Sequence, residues 1–159
     1  MTTATAHAQI GKATTVKNTF NQVTSVSINI DADSSIIWTL LTNASDFPRW
    51  NSTVVSIEGD IKLGEKIKLK STLDESRTFK IKIKEMEAEH RMVWGDGKGS
   101  REFTLTPKDG GGYTFSMVEK IGGLMFPMYA KYLPSFIENF EQYALDLKTE
   151  AEVIERSGN

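Results

Sequence analysis

One helical stripe near the end of this chain limits what the rest of it can fold into. Leu133, Ile137, Phe140, Ala144, Leu147, Ala151 and Ile154 recur at alternating spacings of four and three, the period of one continuous helix face. At about 100° per residue, Tyr129, Tyr132, Phe136 and Tyr143 fall on one flank of that stripe. The apolar surface is therefore broader than packing on a single sheet needs, and it is rimmed with hydroxyls. Such a face suits a wall shared by a core and a pocket. The same four aromatics would also serve by packing the sheet or lying half-exposed at its edge.

Almost everything before that helix reads as strand and turn. Order is expected from Val23, with the alternation of Val26, Ile28 and Ile30 marking a half-buried strand, while residues 1–22 read as a tail or strand extension rich in Thr and Ala. Asp33 and Ser34 supply caps for a short helix through Ile36 to Leu41, and Phe47-Pro48-Arg49-Trp50 is a proline-broken loop or a second short helix. Six further strands follow, over 54–58, 65–71, 77–86, 92–96, 101–106 and 113–121, separated by turn signals such as Gly59-Asp60 and Gly110-Gly111-Gly112. Short connections imply antiparallel neighbours. Alternation puts Ile67, Leu69, Phe79, Ile81, Ile83, Trp94, Phe103, Leu105, Phe115 and Met117 on one face, and Lys66, Lys68, Lys70, Lys80, Lys82 and Lys84 on the other.

The expected architecture is therefore α+β: a curved seven-stranded antiparallel sheet, two short helices after its first strand, and one long C-terminal helix to cover the apolar face. If 128–155 were one helix it would be about 42 Å long, enough to run the length of the sheet. Pro134, followed by the capping box Ser135-Phe136-Ile137-Glu138, predicts a kink or a restart at Ser135. The 159 residues suit one domain, here 23–159.

Composition narrows the chemistry. A formal net charge of −2 gives no global attraction to nucleic acid, and zero cysteines exclude disulfides, thiolate metal sites and cysteine nucleophiles. No apolar run approaches signal-peptide or membrane-span length, so a cytoplasmic protein without stable membrane insertion is expected. His7 and His90 are the two histidines. His90 sits in a turn among Glu85, Glu87 and Glu89, where an exposed acidic turn accounts for it better than a catalytic triad or a metal site. Gly95, Gly97 and Gly99 lead into a strand and not a helix, which reads as a hairpin and not a phosphate loop.

In order and spacing, Ile28-Asn29-Ile30-Asp31-Ala32, Ile37-Trp38-Thr39-Leu40-Leu41-Thr42, Phe47-Pro48-Arg49-Trp50-Asn51, Gly59 followed by Leu63-Gly64-Glu65-Lys66, and Leu147-Lys148 resemble the SRPBCC superfamily. These are the helix-grip proteins, including START domains, plant pathogenesis-related allergens and bacterial polyketide cyclase/dehydrase proteins. The resemblance covers nearly all of 23–155 and implies a deep hydrophobic cavity between sheet and helix for lipids, aromatic polyketides or similar molecules. It fixes no reaction, since carriers, receptors, chaperone activators and enzymes share the fold.

On that topology the ligand-binding candidates are Trp50, Leu69, Phe79, Ile81, Trp94, Phe103, Phe115, Met117, Glu119, Met125, Phe126, Tyr129, Leu133, Phe136, Ile137 and Phe140. Gly122 and Gly123 read as the hinge of an apolar lid carrying Leu124, Met125, Phe126 and Met128. Glu119 shares the inward parity of Phe115 and Met117, and Arg77 and Arg101 share that of their own strands. The three are polar pocket candidates or members of an ion pair at the sheet's rim, with Glu119 the weak candidate for a catalytic base. Binding or transport of a small hydrophobic ligand, with no cofactor and no metal, is the leading expectation. The alternatives are a cyclase, dehydratase or isomerase using the same cavity, and a protein-interaction domain using its groove.

Overall fold

The computed structural model describes residues 11–158. Eight antiparallel strands form one sheet in the spatial order β1-β2-β8-β7-β6-β5-β4-β3. They are β1 (Ala13–Lys17), β2 (Asn21–Ile30), β3 (Val54–Glu58), β4 (Lys66–Ser71), β5 (Phe79–Glu87), β6 (Arg91–Gly95), β7 (Gly99–Pro107) and β8 (Tyr113–Gly122). The helices are α1 (Ser34–Thr42), α2 (Phe47–Trp50), α3 (Phe126–Tyr129) and α4 (Ile137–Ser157). Register shifts between Val54 and Ser56 and between Ile83 and Glu85 insert extra residues that bend their strands.

The sheet has eight strands where seven were expected, because the stretch assigned to the tail contributes β1. Its sequence, Ala13-Thr14-Thr15-Val16-Lys17, is exposed on most positions and so lacks the apolar alternation by which a strand announces itself. What holds it is ladder pairing along β2 from Ala13 opposite Val26 to Lys17 opposite Gln22, together with the Ala13 N–H donating to Glu141 Oε2 at 2.8 Å. The rest of 1–22 read as tail, residues 1–10, lies outside the described residues.

Local chemistry sets the helix boundaries. Asp33 caps α1, its carboxylate accepting from the Ser35 N–H at 2.9 Å. Those hydrogen bonds hold the Asp33 carboxyl below its ordinary range. Pro48 sits in the first turn of α2, where its missing N–H costs nothing. The long helix begins at Ile137, two residues after the expected restart, and the capping box at Ser135 does not form. Leu133, preceding Pro134, is held extended at φ −74° and ψ 135°, and Phe136 takes the cap position with its ring buried. The Ser135 hydroxyl accepts only a long 3.4 Å bond from the Ile137 N–H. Residues 126–132 form α3 and a 3-10 turn, Ala130–Tyr132, in place of a continuous helix.

Helix α4 lies across β2 and β1 and against α1 and α2. Phe140, Ala144, Leu147 and Ala151 are fully buried along its inner face, and the two alanines let it approach the sheet closely. Its polar flank ties down chain ends. Glu152 Oε2 accepts from the Asp31 N–H at 2.9 Å and from Lys148 Nζ at 2.6 Å, and Lys148 also donates to the Asn29 carbonyl at 2.8 Å. Arg49 on α2 reaches Glu150 at 2.7 Å, and Asp146 accepts from both the N–H and the hydroxyl of Ser52.

The inner face of the sheet and the apolar stripe of the helix share one core, with Ile83, Phe103, Phe115 and Met117 wholly enclosed. Phe103 meets Trp94 edge-on at 4.7 Å and lies within 6.5 Å of the Phe115 and Tyr143 rings. Truncating a ring so enclosed removes transfer energy and leaves a cavity that the neighbours cannot fill. Phe103→Ala is expected to lower the free energy of unfolding by about 3–5 kcal/mol, read from urea denaturation followed by circular dichroism. A loss under about 1 kcal/mol would show that the core relaxes freely there.

Candidate functional site

Because α4 lies mainly over the β1–β2 side of the sheet and reaches β7 and β8 only near its start, the rest of the inner face is roofed by residues 129–136, and the fit is incomplete. A partly enclosed cavity of about 320 Å³ results. Leu69, Phe79 and Ile81 form one wall and Tyr129, Leu133 and Phe136 the other. Trp94 and Tyr143 also line it, both nearly inaccessible to solvent. Predominantly aromatic and aliphatic walls with few polar groups are the usual make-up of a small-molecule site.

Polar side chains also line it, Thr53, Ser71, Asp74, Arg77, Asp96, Lys98 and Asn139 among them, and an enclosed charged pair stands where β7 and β8 meet. Arg101 and Glu119 stand directly opposite each other in the ladder, and Arg101 Nε donates to Glu119 Oε1 at 2.9 Å. The two side chains are 10% and 18% exposed, and the Arg101 guanidinium also lies 5.0 Å from the centre of the Phe140 ring. The alternative of a water-facing pair at the rim is thereby set aside. Removing one partner of so enclosed a pair strands the other charge. Among the described residues, this is the one hydrogen bond the Arg101 side chain makes, so the donors of its two terminal nitrogens remain uncommitted. Arg77 lines the cavity toward its exposed end, with its guanidinium 5.0 Å above the Phe79 ring.

Tyr143 adds a buried polar group to the lining. Its hydroxyl is fully buried and has no hydrogen-bond partner among the described residues, and the same holds for the neighbouring Trp50 indole N–H. Burial pushes the Tyr143 phenol well above its ordinary range, with the Arg101 charge acting weakly in the opposite direction. It therefore stays protonated throughout the physiological range.

Eight of the residues proposed from sequence line the cavity: Leu69, Phe79, Ile81, Trp94, Glu119, Tyr129, Leu133 and Phe136. The others lie elsewhere. Trp50, Phe103, Phe115, Met117 and Phe140 are buried in the packed core and are absent from the lining; the Tyr143 ring of α4 packs on Trp50, Phe103 and Phe115. Phe126 is buried against the Tyr129 ring, Met125 is 60% exposed and Ile137 is half-buried outside the cavity. Tyr143 belongs to the flank picked out on the helical stripe but was not singled out for the site. Leu73, Ile121 and Asn139 join the lining with no distinguishing signal in the sequence.

Gly122 and Gly123 do not form a free hinge. Gly122 is the last residue of β8, its N–H donates to the Lys98 carbonyl at 2.9 Å, and a Cβ there would sit 2.5 Å from the Phe20 carbonyl oxygen. Gly123, at φ +136°, donates to that same Phe20 oxygen at 3.0 Å. Close backbone approach, not mobility, accounts for Gly122. The glycines at 95, 97 and 99 belong to the β6–β7 hairpin, where the Asp96 carboxylate accepts from the Lys98 and Gly99 N–H groups. His90 lies in the exposed β5–β6 turn, and Glu89 accepts from the Ser34 hydroxyl at 2.6 Å. Among the described residues, no three His, Asp or Glu side chains gather as metal ligands would.

A long C-terminal helix laid on an antiparallel sheet, with a cavity left beneath the segment that leads into it, defines a helix-grip domain of the SRPBCC type. The family model described as Activator of Hsp90 ATPase homolog 1-like protein matches residues 31–152, and the chain belongs to that family. No curated protein matches the sequence. Among solved structures it is similar to a START superfamily protein from Mycobacterium smegmatis, with 13% identity, a TM-score of 0.61, and 83% of this chain and 98% of that one covered. It is also similar to a Rhodobacter sphaeroides protein, with 16% identity, a TM-score of 0.65 and coverage of 91% and 100%. The di-domain ARO/CYC BexL from the BE-7585A biosynthetic pathway is 11% identical with a TM-score of 0.66, and 86% of this chain covers 52% of it. At these identities the likeness concerns the fold alone.

A buried hydroxyl without a partner costs about 1–3 kcal/mol of desolvation. Tyr143→Phe keeps the ring and its four aromatic contacts while removing that cost, so the substitution is expected to raise the ligand-free denaturation midpoint. A fall in the midpoint would mean that the hydroxyl is satisfied after all.

Proposed function

We propose that the protein binds a small, mostly apolar molecule in this cavity and holds one polar end of it at the Arg101–Glu119 pair. The observation that carries the reading is the lining itself: rings and aliphatic side chains on both walls, with one enclosed guanidinium whose terminal nitrogens have donors to spare. A buried cation with unused donors suits a carbonyl, carboxylate or phenolic oxygen better than a bare hydrocarbon. The START superfamily protein and the ARO/CYC protein among the similar structures make an apolar or ring-containing ligand a natural class to test.

Catalysis in the same cavity is the second reading, with Glu119 as the proton-moving group. One Glu119 oxygen is already committed to Arg101, and the Tyr143 phenol is held protonated by burial. The other Glu119 oxygen is the acceptor that a general base would use.

Native mass spectrometry of freshly purified protein tests the binding reading, because a co-purified apolar molecule both supports it and names its class. Trp94→Ala, which removes one aromatic ring of the lining, is expected to weaken binding of the neutral dye Nile red by about tenfold or more, and retained affinity would overturn the cavity assignment. Glu119→Gln preserves shape and is expected to change Nile red affinity by less than about tenfold, or 1.4 kcal/mol. If Glu119 is instead a base, that substitution leaves binding intact and slows turnover of a true substrate by about a hundredfold.

A further inference from the structure

Five of the large apolar side chains that the described residues expose lie around one edge of the molecule. Leu124 is 87% exposed, Met125 60%, Met128 68% and Tyr132 75%, all within nine residues of one another, and Phe20 is 51% exposed. The β1–β2 turn that carries Phe20 is fastened to the same place, because the Gly123 N–H donates to the Phe20 carbonyl. Anchoring explains why these side chains face outward. Phe126 is the buried residue of α3, packed edge-on against Tyr129 at 5.5 Å, and with that ring turned in, Leu124, Met125 and Met128 are left on the solvent side. Exposed apolar side chains gathered in this way mark an interaction surface, whereas singly scattered ones need no explanation.

The charges around the patch have one dominant sign. From Lys120 to Ile137 the sequence holds Lys120 and Lys131 and no acidic residue. Lys131 Nζ stands 5.1 Å over the Tyr132 ring, and Lys98 Nζ stands 5.6 Å over the Tyr129 ring. Lys17 extends from the end of β1. Of the acidic groups nearby, Glu119 is neutralised by Arg101, and Asp96, which caps its own turn and keeps its charge, is outnumbered by Lys17, Lys98, Lys120 and Lys131. On a chain whose net charge is −2, this edge is locally basic.

From this juxtaposition we propose that residues 124–132, with Phe20 beside them, form a docking surface for an anionic lipid bilayer. Leu124, Met125 and Met128 enter the boundary between headgroups and acyl chains, Tyr132 sits at headgroup level, and the lysines meet the phosphates. Apolar side chains for the acyl boundary, an aromatic hydroxyl for the interface and flanking cations for anionic lipid are the combination by which a peripheral surface holds to a membrane. Phosphatidylserine-type lipid is the fitting partner, because its net negative charge attracts the lysines, whereas a zwitterionic headgroup sets its own cation beside its phosphate and has no net charge. The inference does not rest on what the cavity binds. It does place a bilayer beside the cavity, whose lining includes Tyr129 and Tyr132 of the same segment.

Co-sedimentation of the full chain with vesicles tests it. Wild type is expected to pellet with phosphatidylcholine vesicles containing phosphatidylserine, to remain in solution with pure phosphatidylcholine, and to be released by added salt. Leu124→Ser with Met128→Ser should abolish pelleting, and Lys120→Glu with Lys131→Glu should weaken it by about tenfold or more. Each side chain is exposed, and circular dichroism of the variants checks that the fold is kept. Failure of wild type to pellet at low salt overturns the proposal, as does pelleting that survives the Leu124/Met128 change or is equal on neutral vesicles. Self-association in sedimentation velocity that disappears in Leu124→Ser with Met128→Ser, without vesicle binding, would assign the patch to a second copy of the chain instead. Nile red affinity is read in parallel, and a fault in the cavity reading shows there alone.

Discussion

The packing of Tyr143 determines where sheet, helix and cavity meet. Its ring lies 6.2–6.4 Å from four others, Phe47 and Trp50 on α2, Phe103 on β7 and Phe115 on β8. One side chain on α4 thus fixes the helix against two strands and against the short helix that follows α1. Aromatic contacts of this kind add about 0.5–1.5 kcal/mol each beyond area burial. The arrangement leaves the phenolic hydroxyl without a partner, so packing at this point outweighs polar satisfaction. On the cavity side of the same residue the crowding ends.

The cavity follows from unequal coverage. Ala144 and Ala151 are small enough for α4 to lie close on β2, whereas its first turns carry Phe136, Phe140 and Tyr143. Bulk at one end and small residues at the other leave the rest of the inner face to a roof of short turns. Pro134 sharpens the effect by interrupting helix at the junction. A continuous helix from Met128 would place a regular rod where there is now an irregular lining of Tyr129, Tyr132 and Leu133.

Much of this was legible because periodicity is a local property. The alternation of Ile67, Leu69, Ile81 and Ile83 gave their face correctly, and the stripe from Phe140 to Ala151 marked the buried side of α4. Opposite inward parities anticipated that Arg101 and Glu119 could meet. Parity, however, says only which face a residue occupies and not how far along the strand the covering helix reaches. Phe103, Phe115 and Met117 face inward as expected yet lie under α4 and outside the cavity. β1 was left open between tail and strand extension because its strand character comes from pairing with β2 and not from its own side chains. Gly122 was misread for a similar reason, since its requirement is a neighbour, Phe20, that is distant in sequence.

The lysines of β4 and β5 give the cavity wall a property of its own. Lys66 stands opposite Lys82 and Lys68 opposite Lys80 in the ladder, like charges paired face to face on the outer surface. Glu58 on β3, opposite Lys68, relieves part of this. The inner surface of the same two strands is the Leu69, Phe79 and Ile81 wall. Repulsion between exposed charges is damped over about 10 Å at 0.1 M salt, so the pairing of these two strands strengthens as ionic strength rises. Salt thus acts on the cavity wall from its outer face, by screening the lysine ladder that backs it.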